Sequence, residues 1–557
     1  MLAAGALILC TGRGMARASR TADLVFRGGP IHTADESIPL AGALAVKNGR
    51  IVYVGPEGDV EHWIGKSTRV IDLSGRALIP GFVDADARLL DMGRMSEGLD
   101  LYDTRSFEDV LRKVARAARS APPNSWILGW GWDQESWRDS GSIRLLEFQS
   151  SSGNRPVVLF HSTDDVLLAN IPAMAAADIS EDLPDPPGGR VTRDNRGIRQ
   201  GDLQGEAASL LMRAMPVPTP AQFESWYAAA AESCLARGVT LAHDLNVPIV
   251  ARPALESLYR NDKSRPALQL SVSLAPQPLE FDSVIEQPPA DGRKTPGLTM
   301  NGITLRLDGD VNTRGASITH VYADQQGNRG YTRYQAEELI ALVARLNDAG
   351  WRLILEAHGD SAVSLALLAL GSRGEAGIGQ PPILTGLELV RPDQLALLAG
   401  SGAAGIMTPT HLIDGWHWME RRIGLESAES AWALGSLVAA GFPLAIGTDA
   451  PFAAGNPLLA FYGAVTRQDL RGRPSGGWNE SERLSRTAAL AAMTLTGARI
   501  LGHSSETGSL TVGKRADLVV LSGDLMTLPE RELPALRVTM TVAGGRIVHE
   551  HSPATRN

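Results

Sequence analysis

An α/β fold is predicted: a TIM (β/α)8 barrel carrying a small β-sandwich formed from both chain ends. Three observations predict it. Short apolar runs alternate with helical stretches from Pro80 to about Gly502, the pattern of βα units around a parallel sheet. Strand-like segments separated by Gly, Asn and Asp turns occur at the two ends of the chain. The length of 557 residues exceeds one simple domain. Its middle is also longer than the roughly 250 residues of a bare barrel, so insertions are expected near residues 95–205.

In chain order, residues 1–20 come first. The apolar run Leu2 to Cys10 and the following Ala16-Arg17-Ala18 resemble an export signal with a small-residue cleavage site. They point to an exported or periplasmic location, while the lack of a basic residue ahead of the run leaves the cytoplasm open. Residues 21–78 read as strand segments at Asp23–Arg27, Ala43–Val46, Arg50–Val54, Arg69–Leu73 and Ala77–Ile79. Residues 506–557 supply the same texture at Ala516–Leu521 and Val538–Val548, and both ends together are expected to build the sandwich. Residues 79–505 carry the barrel. There the apolar stretch Leu339 to Leu346 precedes Arg352-Leu-Ile-Leu-Glu, and Ala431 to Ala440 precedes Pro443-Leu-Ala-Ile-Gly. The Trp-rich stretch Trp126 to Trp137 and the Pro/Gly/Asp-rich stretch Asp182 to Gly205 are the expected inserts. The tryptophans at 126, 130, 132 and 137 read as insertion packing over the barrel mouth, with a stacking site as the alternative, and imply a largely apolar pocket lining.

Hydrophobic residues make up 44% and charged residues 21%, as in a globular protein with a substantial core. The formal charge of -9 is spread along the chain, and no Lys/Arg run is interleaved with aromatics, which argues against a nucleic-acid partner. Cys10 and Cys234 are the only cysteines, too few for a disulfide framework or a Cys-based zinc site. No run reaches the roughly 18 apolar residues of a membrane span. A small molecule is the expected partner; homo-oligomer formation stays open.

The stretch Leu78-Ile-Pro-Gly-Phe-Val-Asp-Ala-Asp-Ala-Arg88-Leu-Leu is followed by Trp126-Ile-Leu-Gly-Trp-Gly-Trp-Asp-Gln, Arg237-Gly-Val-Thr-Leu-Ala-His-Asp and Leu307-Asp-Gly. Gly359-Asp-Ser-Ala-Val, Leu389-Val-Arg-Pro-Asp, Pro409-Thr-His and Gly447-Thr-Asp-Ala-Pro come after them. In this order the motifs resemble amidohydrolase family 3 of the amidohydrolase superfamily, the branch that includes N-substituted formamide deformylase-like enzymes. The resemblance runs from about Ala22 to His549. It implies a barrel whose strand ends hold one or two divalent metals, zinc in the family, through His-x-His, often a carbamylated Lys, two later His residues and a final Asp. Such a site ionises a bound water that attacks a carbonyl, which makes the implied activity hydrolysis of non-peptide C–N bonds in small amides.

Position by position, the implied ligands fall on Asp86, Arg88, Thr304, Glu356, Gly386 and Asp449, and a further family histidine falls on Asp165. Asp449 alone keeps the family residue and is the catalytic candidate. Arg88 carries only donors and cannot ligate a cation. The residues therefore assign no cofactor, and altered or lost hydrolysis, or a non-catalytic pseudoenzyme that binds a small molecule or partner, follows from the replacements. Because the flanking Gly, Pro and Asp residues still match, only side chains are expected to have been exchanged, on an unchanged backbone.

Asp86, Glu356 and Asp449 are expected to converge at the barrel mouth, where three carboxylates need a cation. Three readings stay open: an Arg88–carboxylate cluster that only maintains the fold, a carboxylate site for Mg, Ca or Mn, or metal-free acid/base chemistry. His243 and His411 are pocket candidates with a hydrogen-bonded wall position or a loop cap as the alternative, and His358 stands two residues past Glu356. Arg306 alternates with Thr304 and Asp308, so it either replaces the charge of the missing Lys or pairs with Asp308.

Overall fold

Eight parallel strands met in chain order make the middle of the chain a barrel. They are β1 (Phe82–Ala87), β2 (Val239–Val247), β3 (Gln269–Leu274), β4 (Leu298–Arg306), β5 (Arg352–Ala357), β6 (Ile383–Gly386), β7 (Ala404–Met407) and β8 (Leu444–Ile446). The computed structural model describes residues 21–551 apart from 123–124, 135–136, 138–142, 163–165, 195, 288, 290–294, 373–379 and 454. The export segment, Cys10 and Asp165 lie outside the described residues.

Every position of β1, β5 and β7 is buried. Parallel strands between a barrel interior and an outer layer of helices have no solvent face, so they read as apolar runs rather than alternating patterns. The seam between the last and first strands closes just past their ends. The Asp449 amide donates to the Asp86 carbonyl at 2.8 Å and the Arg88 amide to the Ala450 carbonyl at 2.9 Å. Asp84 holds the same seam, accepting from the Thr448 amide at 2.9 Å and its hydroxyl at 2.6 Å. Ile354, Ile383 and Ile406 form one apolar cluster with Val83, Leu241 and Ala445. Ile354 shares a strand face with Glu356, and Ile383 with Thr385, so this cluster fills the barrel beneath the mouth.

The long connection from β1 to β2 contains its own six-stranded sheet. Its strands are Leu99–Asp100, Ile127–Trp132, Val157–His161, Val166–Ala169, Gly189–Arg193 and Arg199–Gly205. Both expected inserts are strands of this one sheet. Trp130 stacks on Phe160 at 5.1 Å, Trp132 meets the His161 ring edge-on at 4.7 Å, and Trp137 packs on Phe107 at 5.7 Å. These tryptophans pack within the insertion, as expected of them, rather than lining the mouth. The insertion reaches the barrel through Phe452, packed in the same cluster as Trp130, and through the Tyr102 hydroxyl, which donates to the Pro451 carbonyl.

The two chain ends share an eight-stranded sheet. Leu24–His32, Leu40–Lys47, Arg50–Gly55, Arg69–Asp72 and Leu78–Pro80 come from one end, and Leu518–Leu521, Val538–Ala543 and Arg546–Glu550 from the other. Leu78–Pro80 joins them, antiparallel to Leu518–Leu521. Asn48-Gly49 turns the chain with positive φ at both residues, 49° and 77°, as a two-residue hairpin requires. Leu24, Phe26, Leu44 and Val46 from one end pack with Leu518, Val520, Met540 and Val542 from the other. No described helix is long and apolar enough to cross a membrane.

Candidate functional site

The strand ends bring Asp86, Arg88, Arg306, Glu356, His358, Gly386, His411 and Asp449 around one inner cavity of about 30 Å³, room for about one water. Arg88 lies among three carboxylates. Its Nε is 3.4 Å from Asp86 Oδ1 and 3.4 Å from Asp449 Oδ1, and its Nη2 is 3.3 Å from Glu356 Oε1. These distances exceed the roughly 2.7–2.9 Å of a strong charge-assisted bond, so the guanidinium sits between the acids rather than forking tightly onto one of them. The Arg88 side chain is 5% exposed and that of Glu356 2%.

Glu356 is the most densely contacted acid. Arg306, its register partner across β4 and β5, places Nε 3.8 Å from Oε1, and the Asn246 amide donates to Oε2 at 3.0 Å. Burial alone would raise its pKa, but Arg306 and Arg88 hold the carboxyl well below the usual range. Arg306 therefore pairs with Glu356. Asp308 instead accepts from the backbone amides of Ser317, His358 and Gly359. Asp86 is pushed up to about 7 by burial, against the pull of Arg88. The Thr385 hydroxyl donates to its Oδ2 at 3.3 Å.

The helix Thr410–Ile423 begins at the mouth and presents His411, whose Nε2 is 3.0 Å from Asp449 Oδ2. Burial disfavours its cation, yet Asp449 raises its pKa to about 9. His358 lies between two acids: Nε2 is 3.4 Å from Glu356 Oε1, and Nδ1 is 3.9 Å from Glu388 Oε2. Burial works against its charge, but those carboxylates hold it well above the ordinary value. His243 is inside the barrel wall, 2.6 Å from the Ser273 hydroxyl, and burial lowers its pKa to about 3. Thr304 is buried and its hydroxyl has no hydrogen-bond partner among the described residues. Neither residue lines the inner cavity.

Position 386 has a backbone that favours glycine. Gly386 has φ +87°, and a Cβ there would stand 2.9 Å from the Ala357 carbonyl oxygen. Leu387 follows with φ 50°. This pair of left-handed residues turns the chain after β6 and brings Glu388 opposite His358. Glu388 and Asp310 complete the mouth and were not legible as site residues. The only available hint was a carboxylate two residues past Asp308 and another two past Gly386. Burial pushes Asp310 up to about 7, with the Glu388 charge adding to it.

Above the inner cavity lies an outer one of about 870 Å³, within the roughly 300–1,000 Å³ of small-molecule pockets. Asp310, Glu388 and His411 line both cavities. The indoles on the outer wall are Trp418 and Trp432, and Met92, Met95 and Phe452 stand with them beside the acids Asp100, Asp133 and Asp414, so the lining is largely apolar, as expected, but with indoles other than those expected.

A model of the amidohydrolase family, of the kind named Amidohydro_3, matches residues 69–549. The chain is 26% identical over 537 residues to the putative amidohydrolase YtcJ of Bacillus subtilis (strain 168), covering 95% of this chain and 99% of that one. It is 24% identical over 552 residues to the N-substituted formamide deformylase of Arthrobacter pascens, with 95% and 99% covered. The crystal structure of an uncharacterized metal-dependent hydrolase from Pyrococcus horikoshii OT3 superposes with a TM-score of 0.72 at 23% identity, covering 91% of this chain and 99% of that one. The last likeness is one of fold.

Proposed function

Because the chain belongs to the amidohydrolase family, we propose that it takes a small amide-type molecule at the barrel mouth, and that the family's metal-dependent hydrolysis of non-peptide C–N bonds is altered or lost in it. The observation that carries this reading is Arg88. Its guanidinium lies within 3.4 Å of Asp86, Asp449 and Glu356, where the family resemblance places metal ligands. A guanidinium offers donors only and stays charged. Of the other implied ligand positions, Gly386 has no side chain to offer and Thr304 offers one buried hydroxyl. This donor set does not fit a two-metal centre, which needs at least three N, O or S ligands per ion, and no hydrolytic step is derived through one.

The charge pattern favours a second reading, a pseudoenzyme. Arg88, Arg306, His358 and His411 already oppose Asp86, Glu356, Glu388 and Asp449, and Asp310 is a fifth acid on the same cavity, so most of the charge of this inner layer is offset by its own side chains. In both readings the ligand occupies the outer cavity, which is large enough for one. The same reading divides the chain into a small β-sandwich, residues 21–78 with 506–557, and a barrel of residues 79–505. The core shared by strands of both ends supports that division.

The test is calorimetric titration with small N-substituted formamides and amides, with turnover followed as divalent metal is added. Saturable binding without a rate that requires two metal equivalents is expected. A rate that rises to two equivalents and is abolished in Asp449→Asn would overturn the proposal.

A further inference from the structure

Asp310, His358 and Glu388 each offer a ligand atom, all within 4.8 Å of one another, and none of the three stands at a ligand position implied by the family. Glu388 is 5% exposed. Its Oε2 and the Nδ1 of His358 have no hydrogen-bond partner among the described residues and face each other at 3.9 Å, too far for a hydrogen bond. Two ligands at about 2.0–2.2 Å from one ion stand roughly 3–3.5 Å apart, so a closure of about half an ångström would bring both atoms onto a shared cation.

The other ring nitrogen of His358 is already turned to a carboxylate, with Nε2 3.4 Å from Glu356 Oε1. That arrangement fixes the ring and tautomer of metal-bound histidines. Asp310 uses Oδ1 to accept from the Asn312 amide, which orients its carboxylate. Asp310 and Glu388 border the inner and the outer cavity together, so an ion held there keeps a coordination position open toward the outer cavity. Such an ion replaces the imidazolium proton as the charge offsetting Glu388 and Asp310.

We infer that Asp310, His358 and Glu388 form a mononuclear divalent-cation site at the floor of the outer cavity, with Glu356 as the residue that positions His358. One imidazole nitrogen and two carboxylate oxygens suit a borderline first-row ion such as Zn²⁺ or Mn²⁺. The inference rests on the reading that Arg88 fills the family's own metal position.

The experiment is calorimetric titration of the full chain with Zn²⁺, for the wild type and for Glu388→Gln, Asp310→Asn and Asp86→Asn. One ion per wild-type chain is expected, held at least about tenfold more weakly when Glu388 or Asp310 is changed and about equally well in Asp86→Asn. A wild type that takes up no zinc overturns the site and leaves the Arg88 reading standing. Uptake lost in Asp86→Asn but kept in Glu388→Gln moves the ion to the family position and overturns both. Pulsed electron paramagnetic resonance of the Cu²⁺-loaded wild type needs no variant to fold. Coupling to one imidazole is expected, and coupling to two or more overturns the assignment.

Discussion

The seam of the barrel and its mouth both depend on buried acids, yet they hold them in different ways. At the seam, Asp84 accepts from the amide and hydroxyl of Thr448. Asp308, two residues past the end of β4, likewise accepts from three backbone amides. At the mouth, Asp86, Glu356 and Asp449 face the side-chain cations Arg88, Arg306, His358 and His411. Backbone donors stay where the fold puts them, so an acid that binds them is tied to the architecture. Side-chain cations can be exchanged one residue at a time, so the partners of a mouth acid can change while the barrel persists.

The sharpest way to break this comparison is Arg88→Ala. Removing one partner from a buried ion cluster leaves uncompensated charge and is expected to cost about 3–5 kcal/mol, read as a lowered urea midpoint at neutral pH. An unchanged midpoint would mean that the mouth acids do not depend on their cation. Asp84→Ala tests the other half. It orphans the Thr448 amide and removes hydrogen bonds to a charged group, each worth about 1.5–3 kcal/mol, and a loss below about 1 kcal/mol would remove the distinction between seam and mouth.

Gly386→His asks whether the mouth has changed its backbone as well as its side chains. At φ +87° a side chain is expected to cost about 1–2 kcal/mol, seen as a lower thermal midpoint. A variant as stable as the wild type would show a backbone that still accepts the family's histidine. The smallest effect is expected from His411→Gln. His411 is raised from 6.5 to about 9, so the folded state holds its proton more tightly than the unfolded state does. The resulting stability is full below about 6.5 and is lost as pH rises through about 9. The variant should therefore flatten the decline of stability with pH across that window, as measured by urea unfolding at several pH values.

Barrel strands and terminal strands were legible in the sequence because each rests on a local pattern: buried apolar runs for the parallel strands and Asn48-Gly49 for a hairpin. The gathering of Asp86, Arg88, Glu356 and Asp449 was legible from their places at strand ends. The roles of Asp310 and Glu388 were not. Alternation fixes which face of a strand a residue occupies, but both of these stand beyond the strand ends. Glu388 reaches the mouth only through the left-handed pair Gly386 and Leu387. The tryptophans were legible as insertion packing but their partners were not: indole burial is easily foreseen from sequence, while the partner, here Phe160 for Trp130 and Phe107 for Trp137, is set by the insertion's own sheet.

The seam also bears on how the chain comes to be folded. Asp84 and Thr448 are 364 positions apart, and contacts of such long range carry the greatest loop-closure cost unless the strands between them have already stacked. Closure of the ring therefore belongs late in folding. The mouth takes Arg88 from just past the first strand and Asp449 from just past the last, so it exists only once the ring is closed. A polypeptide still being synthesised keeps Asp86 and Arg88 in water until Asp449 has emerged from the ribosome, and a product truncated before that residue would have strands but no binding site.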